Sequence, residues 1–182
     1  MRLVILGAGG HGQTIAAAAR DLKKYEKILF LDDNFIKDNS ILYGPAEIET
    51  WLEGECKEYS RYINKETEFY PAFGDNKIRL EWENKILRKG GKLATIIHPT
   101  ASVSSRSKIE KGTVGLQNAV INVGCIVEKA CIINIGSIVE HGCYIGEGVH
   151  IDSGAIVMSE NKVPSLCKVE AGEVIKKKTW II

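Results

Sequence analysis

Hydrophobic side chains recur at a fixed six-residue interval through the second half of the chain. Every sixth residue from Ile97 to Ile181 is Val or Ile, and Gly115 is the one exception. Neither an α-helix nor an alternating strand has this period, whereas a parallel β-helix places one β-branched side chain from each short strand into a continuous core. The pattern therefore predicts a parallel β-helix of hexapeptide repeats over residues 96–182. An ordinary β-sandwich would show a period of two with irregular turns.

A second row of small residues stands two positions before most of these Val and Ile sites. It consists of Ala101, Ser107, Thr113, Ala119, Cys125, Cys131, Ser137, Cys143, Ala155 and Cys167. Small side chains let the backbone turn at the corners of a prism-shaped coil, where larger groups would clash. The cysteines of this row are therefore interpreted as small buried residues rather than as metal ligands or disulfide partners. The chain has no CxxC pair, so no metal site is expected.

The first part of the chain has another pattern, in which apolar runs alternate with glycine turns and helix-forming stretches. The predicted elements are a strand over 2–6, a glycine turn over 7–12, a helix over 13–20, strands over 27–31 and 69–73, a helix that ends near residue 89, and a strand over 93–97. Strands alternating with helices indicate a parallel sheet. We therefore predict a half-Rossmann α/β domain over residues 1–95.

The glycine turn Gly7-Ala-Gly-Gly-His-Gly12 lies between a predicted strand and a predicted helix. Such a turn presents free backbone N–H groups and the positive end of a helix, which suits a phosphate. Asp32 and Asp33 follow the next strand, where a dinucleotide fold often has a ribose-binding acid. A domain of about 90 residues is large enough to bind one mononucleotide, but not the nicotinamide half of a dinucleotide as well. This size disfavours a dehydrogenase. A solvated loop remains the alternative for the two acids, and a polar helix start for His11.

Charge and composition narrow the class of partner. The chain has 24 basic and 23 acidic residues and a net charge of +1, which does not suggest a nucleic-acid footprint or an anionic-membrane patch. Its apolar stretches are shorter than a membrane span, and the apolar run at the amino end turns into glycines after five residues, too early for a signal peptide. We expect a cytoplasmic protein without nucleic-acid or membrane partners.

Motifs along nearly the whole chain occur in the order of one known family. They are Gly7-Ala-Gly-Gly-His-Gly12, Phe30-Leu-Asp-Asp33, Ala72-Phe-Gly-Asp-Asn-Lys77, Ile97-His-Pro-Thr-Ala101, Ala119-Val-Ile-Asn122, Ile132-Ile-Asn134, Val139-Glu-His-Gly-Cys143 and Val149-His150. In these motifs the chain resembles bacterial nucleotide-sugar acetyltransferases related to sialic acid O-acetyltransferase and the UDP-amino-sugar N-acetyltransferases. The resemblance implies a left-handed β-helix, a homotrimer, and acetyl-CoA bound in the groove between neighbouring prisms.

The resemblance also implies roles for individual residues. The nucleotide sugar would be held by Gly9, Gly10, His11, Asp32, Asp33 and Gly74. His141 would be the general base, Asn134 would line the acceptor pocket, and His150 would lie along the acetyl-CoA groove. An imidazole that titrates near neutrality can accept the proton that an amine or hydroxyl loses as it attacks a thioester. Taken alone, each of the histidines, His98 included, also fits a structural or surface role.

Two features depart from the family pattern. Gly142 follows His141 at a position where the family usually has Asp or Glu, which orients the ring; Glu140 precedes His141, but adjacent strand residues point to opposite sides. After His150 the family usually has one further coil before a Gly-Ala-x-Val-Val-Pro-like stretch. Here Ser153-Gly-Ala-Ile-Val157 continues directly to Lys162-Val-Pro-Ser165 in unbroken register, as if one coil of about eighteen residues were absent.

Three hypotheses follow from these patterns. The first is an acetyl-CoA-dependent acetyltransferase that acts on an amino or hydroxyl group of a nucleotide-activated sugar, such as a UDP-amino sugar, or of a sialic-acid-like sugar. The second is a nucleotide-sugar-binding or scaffold protein of the same fold that has lost catalysis, which the two departures favour. The third, a weaker interpretation, is an oxidoreductase built on the glycine turn.

Overall fold

The computed structural model describes residues 1–34 and 50–177 of the chain. The chain divides into two compact units, Met1–Ala94 and a second unit that begins at Thr95. Within the described ranges, no helix has the length and apolar character that a membrane crossing requires. Ile181, the last position of the six-residue row, lies outside the described residues.

The first unit is an α/β domain with a parallel sheet. Its elements are β1 (Arg2–Leu6), α1 (Gly10–Asp21), β2 (Lys27–Leu31), β3 (Thr50–Gly54), a 3-10 helix (Cys56–Tyr62), β4 (Thr67–Pro71), α2 (Asn76–Arg88) and β5 (Lys92–Leu93). The strands pair in the order β3-β2-β1-β4-β5, all in parallel. Residues 3–6 of the central strand β1 are fully buried, as expected for a parallel strand covered on both faces. This is the predicted half-Rossmann arrangement.

Three predicted elements differ from the observed ones. Helix α1 begins at Gly10, three residues earlier than predicted, because Gly9 is already in its N-cap position and accepts the Gln13 N–H at 3.0 Å. Strand β4 is Thr67–Pro71 rather than residues 69–73. The run predicted as one strand over 93–97 is two strands, because Lys92–Leu93 pairs with β4 while Ile96–Ile97 pairs with Val114–Gly115 in another sheet.

The second unit is a left-handed parallel β-helix built from two-residue strands at six-residue steps. The strands are β6 (Ile96–Ile97), β7 (Ser102–Val103), β8 (Lys108–Ile109), β9 (Val114–Gly115), β10 (Val120–Ile121), β11 (Ile126–Val127), β12 (Ile132–Ile133), β13 (Ile138–Val139), β14 (Tyr144–Ile145), β15 (His150–Ile151), β16 (Ile156–Val157), β17 (Lys162–Val163), β18 (Lys168–Val169) and β19 (Val174–Ile175). They form three faces, ordered β19-β16-β13-β10-β7, β17-β14-β11-β8 and β18-β15-β12-β9-β6. Each strand pairs with the strand one coil, or eighteen residues, further along, as Ile132 does with His150.

The six-residue row forms the core of this prism. The second residue of most strands is buried in one cluster, together with small residues at the corners. At the exceptional position, a Cβ on Gly115 would lie 3.2 Å from Cδ1 of Ile97, so the larger neighbouring side chain takes the space that a branched residue would need.

The small residues at the corners also satisfy the turning backbone. Thr113 Oγ1 donates to the Glu128 carbonyl at 2.8 Å and accepts the Cys131 N–H at 3.1 Å. The buried Cys131 thiol donates to the Gly146 carbonyl at 3.0 Å. A hydroxyl or thiol at a corner therefore binds backbone groups that the two-residue strands leave unpaired.

Candidate functional site

The glycine turn lies at the carboxyl edge of the first unit's sheet. Gly7 has a φ of +101°, a conformation that favours glycine. A Cβ on Gly12 would lie only 2.1 Å from the Gly7 carbonyl oxygen, so this glycine lets α1 approach β1 closely. At Gly9 and Gly10, by contrast, an added Cβ would meet no atom within 4 Å, and both residues are exposed. The start of α1 is therefore open around Gly9 and Gly10, which leaves room for an anionic group near the first helical N–H groups.

Asp32 binds the glycine turn directly. Its Oδ2 accepts the Ala8 N–H at 2.7 Å, and its Oδ1 accepts the Asn34 N–H at 2.8 Å. The carboxylate therefore holds the loop after β1 against the loop after β2, and each of its oxygens already has one backbone donor. This arrangement differs from a simple solvated loop, the alternative considered for this residue.

Asp33 binds the start of the 3-10 helix. Its Oδ1 accepts the Cys56 N–H at 2.8 Å, while the Cys56 thiol donates to the Leu31 carbonyl at 3.2 Å. Burial, followed by the negative charges of Asp33 and Asp32, raises the pKa of Cys56 to about 12. The thiol is therefore protonated near neutral pH and is a poor nucleophile.

His11 and Gly74 lie at the same edge of the sheet. His11 is in the first turn of α1, half-buried, with its Nε2 3.5 Å from the Tyr70 hydroxyl of β4. Gly74 follows β4, is exposed, and would meet nothing within 4 Å if it had a Cβ. Since β1, β2 and β4 are parallel and in register at their last residues, the predicted sugar-nucleotide residues collect at their carboxyl ends.

His141 lies in the turn between β13 and β14 of the prism, with an exposed side chain. Its carbonyl accepts the Glu160 N–H at 3.0 Å, and the next residue, Gly142, has a φ of +69° and donates its N–H to the Val123 carbonyl. Within residues 1–34 and 50–177, we find no hydrogen bond or ion pair to the His141 imidazole. The Glu140 carboxylate accepts the Ser159 N–H at 3.1 Å, so it is engaged with the next coil.

Asn134 and His150 meet at a different corner, between β12 and β13. Asn134 Nδ2 lies 3.3 Å from His150 Nε2 and donates to Asp152 Oδ1 at 2.8 Å. The same carboxylate oxygen is 3.6 Å from His150 Nε2, and Lys168 Nζ is 3.2 Å from Asp152 Oδ2. His150 is only 9% exposed. We call Asn134, His150, Asp152 and Lys168 the amide–imidazole cluster.

The structure thus brings some of the predicted prism residues together and keeps one apart. Asn134 and His150 contact each other, whereas His141 lies at the next corner of the coil, on the far side of strand β13. Sequence reasoning missed Asp152 and Lys168. The eighteen-residue period contains the signal for both, because it places Asp152 one coil above Asn134 and Lys168 one coil above His150.

Comparison with known proteins gives consistent matches for both units. Residues 2–86 match the family model of the PglD N-terminal domain. The acetyltransferase domain of PglB from Neisseria gonorrhoeae FA1090, solved with acetyl coenzyme A, has a TM-score of 0.85 and 29% sequence identity, covering 95% of this chain and 80% of that chain. PerB from Caulobacter crescentus, solved with CoA and GDP-perosamine, has a TM-score of 0.79 at 22% identity, covering 97% and 89% of the two chains.

WeeI from Acinetobacter baumannii AYE has the same fold, with a TM-score of 0.82 at 17% identity over 97% of this chain and 81% of that chain. The likeness to PglB extends through both units, and the family match covers most of the first. In both units the chain is similar to hexapeptide-repeat nucleotide-sugar acetyltransferases. This similarity indicates an acyltransferase, and the oxidoreductase interpretation of the glycine turn is set aside.

Proposed function

We propose that this protein transfers an acetyl group from acetyl-CoA to an amino or hydroxyl group of a nucleotide-activated sugar or a sialic-acid-like sugar. The observation that supports this most is the likeness, through both units, to a PglB acetyltransferase domain solved with acetyl coenzyme A. PerB, which shares the fold, was solved with CoA and GDP-perosamine. A UDP-amino sugar is the first acceptor to test.

The proposed base is His141. An exposed imidazole in a tight corner turn can reach a ligand that lies outside the prism, and an ordinary imidazole changes charge near neutral pH. In the reaction, the acceptor nitrogen or oxygen attacks the thioester carbonyl and passes its proton to the His141 ring, while CoA leaves as a thiolate that is then protonated. A backbone N–H near the carbonyl would stabilise the oxyanion. No acyl-enzyme is needed, so the buried cysteines have no catalytic role in this proposal.

The proposed nucleotide-sugar site is the carboxyl edge of the first sheet. The N–H groups at the start of α1, with open space over Gly9 and Gly10, suit the diphosphate. His11, Asp33 and Gly74 lie at the same edge and are the groups proposed to contact the nucleoside and sugar. Asp32 contributes mainly by holding Ala8, and therefore the glycine turn, in place.

In the prism, Asn134 is proposed to line the acceptor pocket and His150 the acetyl-CoA groove. Their mutual contact supports a shared pocket wall at the β12–β13 corner. Because His141 lies at another corner of the same coil, a single pocket containing all three side chains requires a second copy of the chain. We therefore propose a homotrimer whose grooves are lined by two neighbouring prisms.

The direct test is release of CoA thiol from acetyl-CoA in the presence of UDP-amino sugars and nonulosonic acids. Four of the five cysteine side chains are buried, so a thiol reagent should report CoA with little background. We expect turnover by the wild type and a loss of about 10²–10⁴-fold in His141→Ala. His141 is exposed, so this variant should keep its fold. Equal rates for wild type and variant would refute His141 as the base.

The scaffold alternative has a structural argument of its own. Within the described residues no carboxylate supports the His141 ring, since Gly142 has no side chain and Glu140 is bound to Ser159. Calorimetry separates the two functions. An acetyltransferase should bind both the nucleotide sugar and acetyl-CoA, whereas a scaffold should bind the nucleotide sugar without acetyl-CoA.

A further inference from the structure

The amide–imidazole cluster contains two charged residues to which the proposed function assigns no role. Asp152 and Lys168 stand one coil above Asn134 and His150, respectively. Asp152 accepts the Ser153 N–H at 2.7 Å, and Lys168 Nζ lies 3.2 Å from Asp152 and 2.6 Å from Glu170. The aspartate is therefore held by a backbone donor and a cation while it accepts the Asn134 amide.

The orientation of the Asn134 amide is fixed by one hydrogen-bond donor and one hydrogen-bond acceptor. Its Oδ1 accepts the Ile135 N–H at 2.8 Å, and its Nδ2 donates to Asp152 Oδ1 at 2.8 Å. A backbone N–H can only donate and an ionised carboxylate can only accept. Rotating the amide by half a turn would lose both hydrogen bonds and place like groups against each other, so the assignment of oxygen and nitrogen follows from chemistry.

This orientation decides the state of the neighbouring imidazole. Asn134 Nδ2 has two hydrogens, of which one goes to Asp152, and the nitrogen is 3.3 Å from His150 Nε2. Because an amide nitrogen only donates, a hydrogen bond between these two nitrogens requires Nε2 to offer its lone pair. The proton of a neutral ring then resides on Nδ1.

We infer that Asp152 and Lys168 are positioning residues of the acetyl-transfer site, which hold Asn134 so that it fixes His150 as the neutral imidazole with its proton on Nδ1. The inference rests on the proposed function for the roles of Asn134 and His150. The arrangement gives the pocket wall a fixed pattern of donors, so that a bound thioester meets the same groups each time.

A charged His150 would require another arrangement. An imidazolium would place an N–H on Nε2, which faces the donor nitrogen of Asn134, although Asp152 Oδ1 at 3.6 Å would attract it. The charged groups of this corner are Asp152, Lys168 and Glu170, and Lys168 lies between the two carboxylates. The two states of His150 differ in ring proton positions and are therefore distinguishable by spectroscopy.

The first experiment is nitrogen-15 NMR of the full chain without substrate, at a pH of about 8, above the ordinary titration range of imidazole. The chain has four histidines, and a His150→Gln variant assigns the resonances of interest. We expect the Nδ1–H tautomer in the wild type and a mixture of tautomers in Asp152→Ala. An Nε2–H tautomer or an imidazolium in the wild type would overturn the inference, as would an unchanged tautomer in Asp152→Ala.

The second experiment measures steady-state kinetics with acetyl-CoA for Asp152→Ala and Lys168→Met. Loss of one hydrogen-bonded anchor should raise KM for acetyl-CoA about 5- to 10-fold, with a smaller change in kcat. Glu147→Gln is the matched control: Glu147 forms an ion pair with Lys129, one coil below it at another corner, and its substitution should leave KM unchanged. Unchanged KM in both cluster variants would contradict the positioning role. If the wild type acetylates no acceptor, the proposed function fails, and the tautomer measurement still decides the state of His150.

Discussion

At the scale of single residues, the Asp152 carboxylate has a well-defined set of neighbours. Burial acts to raise its pKa, but the Ser153 N–H, the Lys168 ammonium, the nearby His150 and the Asn134 amide together hold the pKa below its ordinary value of 3.8. Its charged form is therefore favoured in the folded protein. A carboxylate whose pKa is lowered by folding stabilises the folded protein at pH values above its unfolded-state pKa. That stabilisation is lost as the pH falls through its folded-state pKa.

This argument predicts a pH-dependent stability difference for Asp152→Asn. At pH 7 the variant should be less stable than the wild type, and the difference should shrink as the pH falls below about 4. Urea unfolding at a series of pH values measures it. When Lys168→Met is also present, the stability difference caused by Asp152→Asn should depend less on pH, because one of the groups that lower the pKa of Asp152 is gone. A difference that grows on acidification would contradict the assignment.

At the scale of elements, the close approach of α1 to β1 depends on one glycine of the turn. Gly12 lies under the Gly7 carbonyl, with only 2.1 Å for a Cβ, whereas Gly10 two residues earlier has open space. The helix can therefore accept a methyl group at Gly10, but a methyl group at Gly12 would push α1 away from β1.

We predict that Gly12→Ala destabilises the first unit by about 1–3 kcal/mol, while Gly10→Ala leaves its stability within about 1 kcal/mol of the wild type. Urea unfolding followed by tryptophan fluorescence checks this, because Trp82 stacks on Phe73 within the first unit. Equal stabilities of the two variants would show that the turn relaxes at little cost.

The elements also show what a sequence can and cannot predict. The six-residue row predicts the β-helix because each coil repeats the same short contact, and β1 and β2 follow from continuous apolar runs. Strand β3, with Thr50, Glu53 and Gly54 among its residues, has no such run, and its place beside β2 depends on tertiary pairing. The run over 93–97 reads as one strand because nothing local marks the change of sheet.

The candidate site, too, is only partly predictable from the sequence. The glycine turn and Asp32 are evident from spacing, but the bond from Ala8 to Asp32 depends on how two loops meet in space. Asp152 and Lys168 read as surface charges in the sequence. Their contacts with Asn134 become visible only when residues one coil apart are placed side by side.

At the scale of the whole molecule, the prism has exposed apolar side chains next to the His141 turn. Ile126 and Tyr144 are paired in register on the β11–β14 face and are 41% and 39% exposed, and Val123 at the corner is 38% exposed. Apolar side chains grouped in this way are typical of contact surfaces. We propose that neighbouring prisms of the trimer cover them and form the grooves beside His141.

This proposal predicts a trimeric mass in light scattering at micromolar concentration, and a smaller mass with lost acetyl transfer in Ile126→Asp. Val174→Asp is the control, since Val174 is also exposed, at 50%, but lies on another face in the last described coil. It should leave mass and activity unchanged. A monomeric wild type that still turns over acetyl-CoA would contradict a site shared between copies.

The central claim is acetyl transfer to a sugar with the His141 imidazole as base. Mass spectrometry of reactions containing isotope-labelled acetyl-CoA and a panel of UDP-amino sugars and nonulosonic acids tests it most directly. The account predicts a labelled acetyl sugar with the wild type and its near absence with His141→Ala, in a variant that remains folded and still binds the nucleotide sugar. No labelled sugar from any acceptor with the wild type, or equal yields from both proteins, would contradict it.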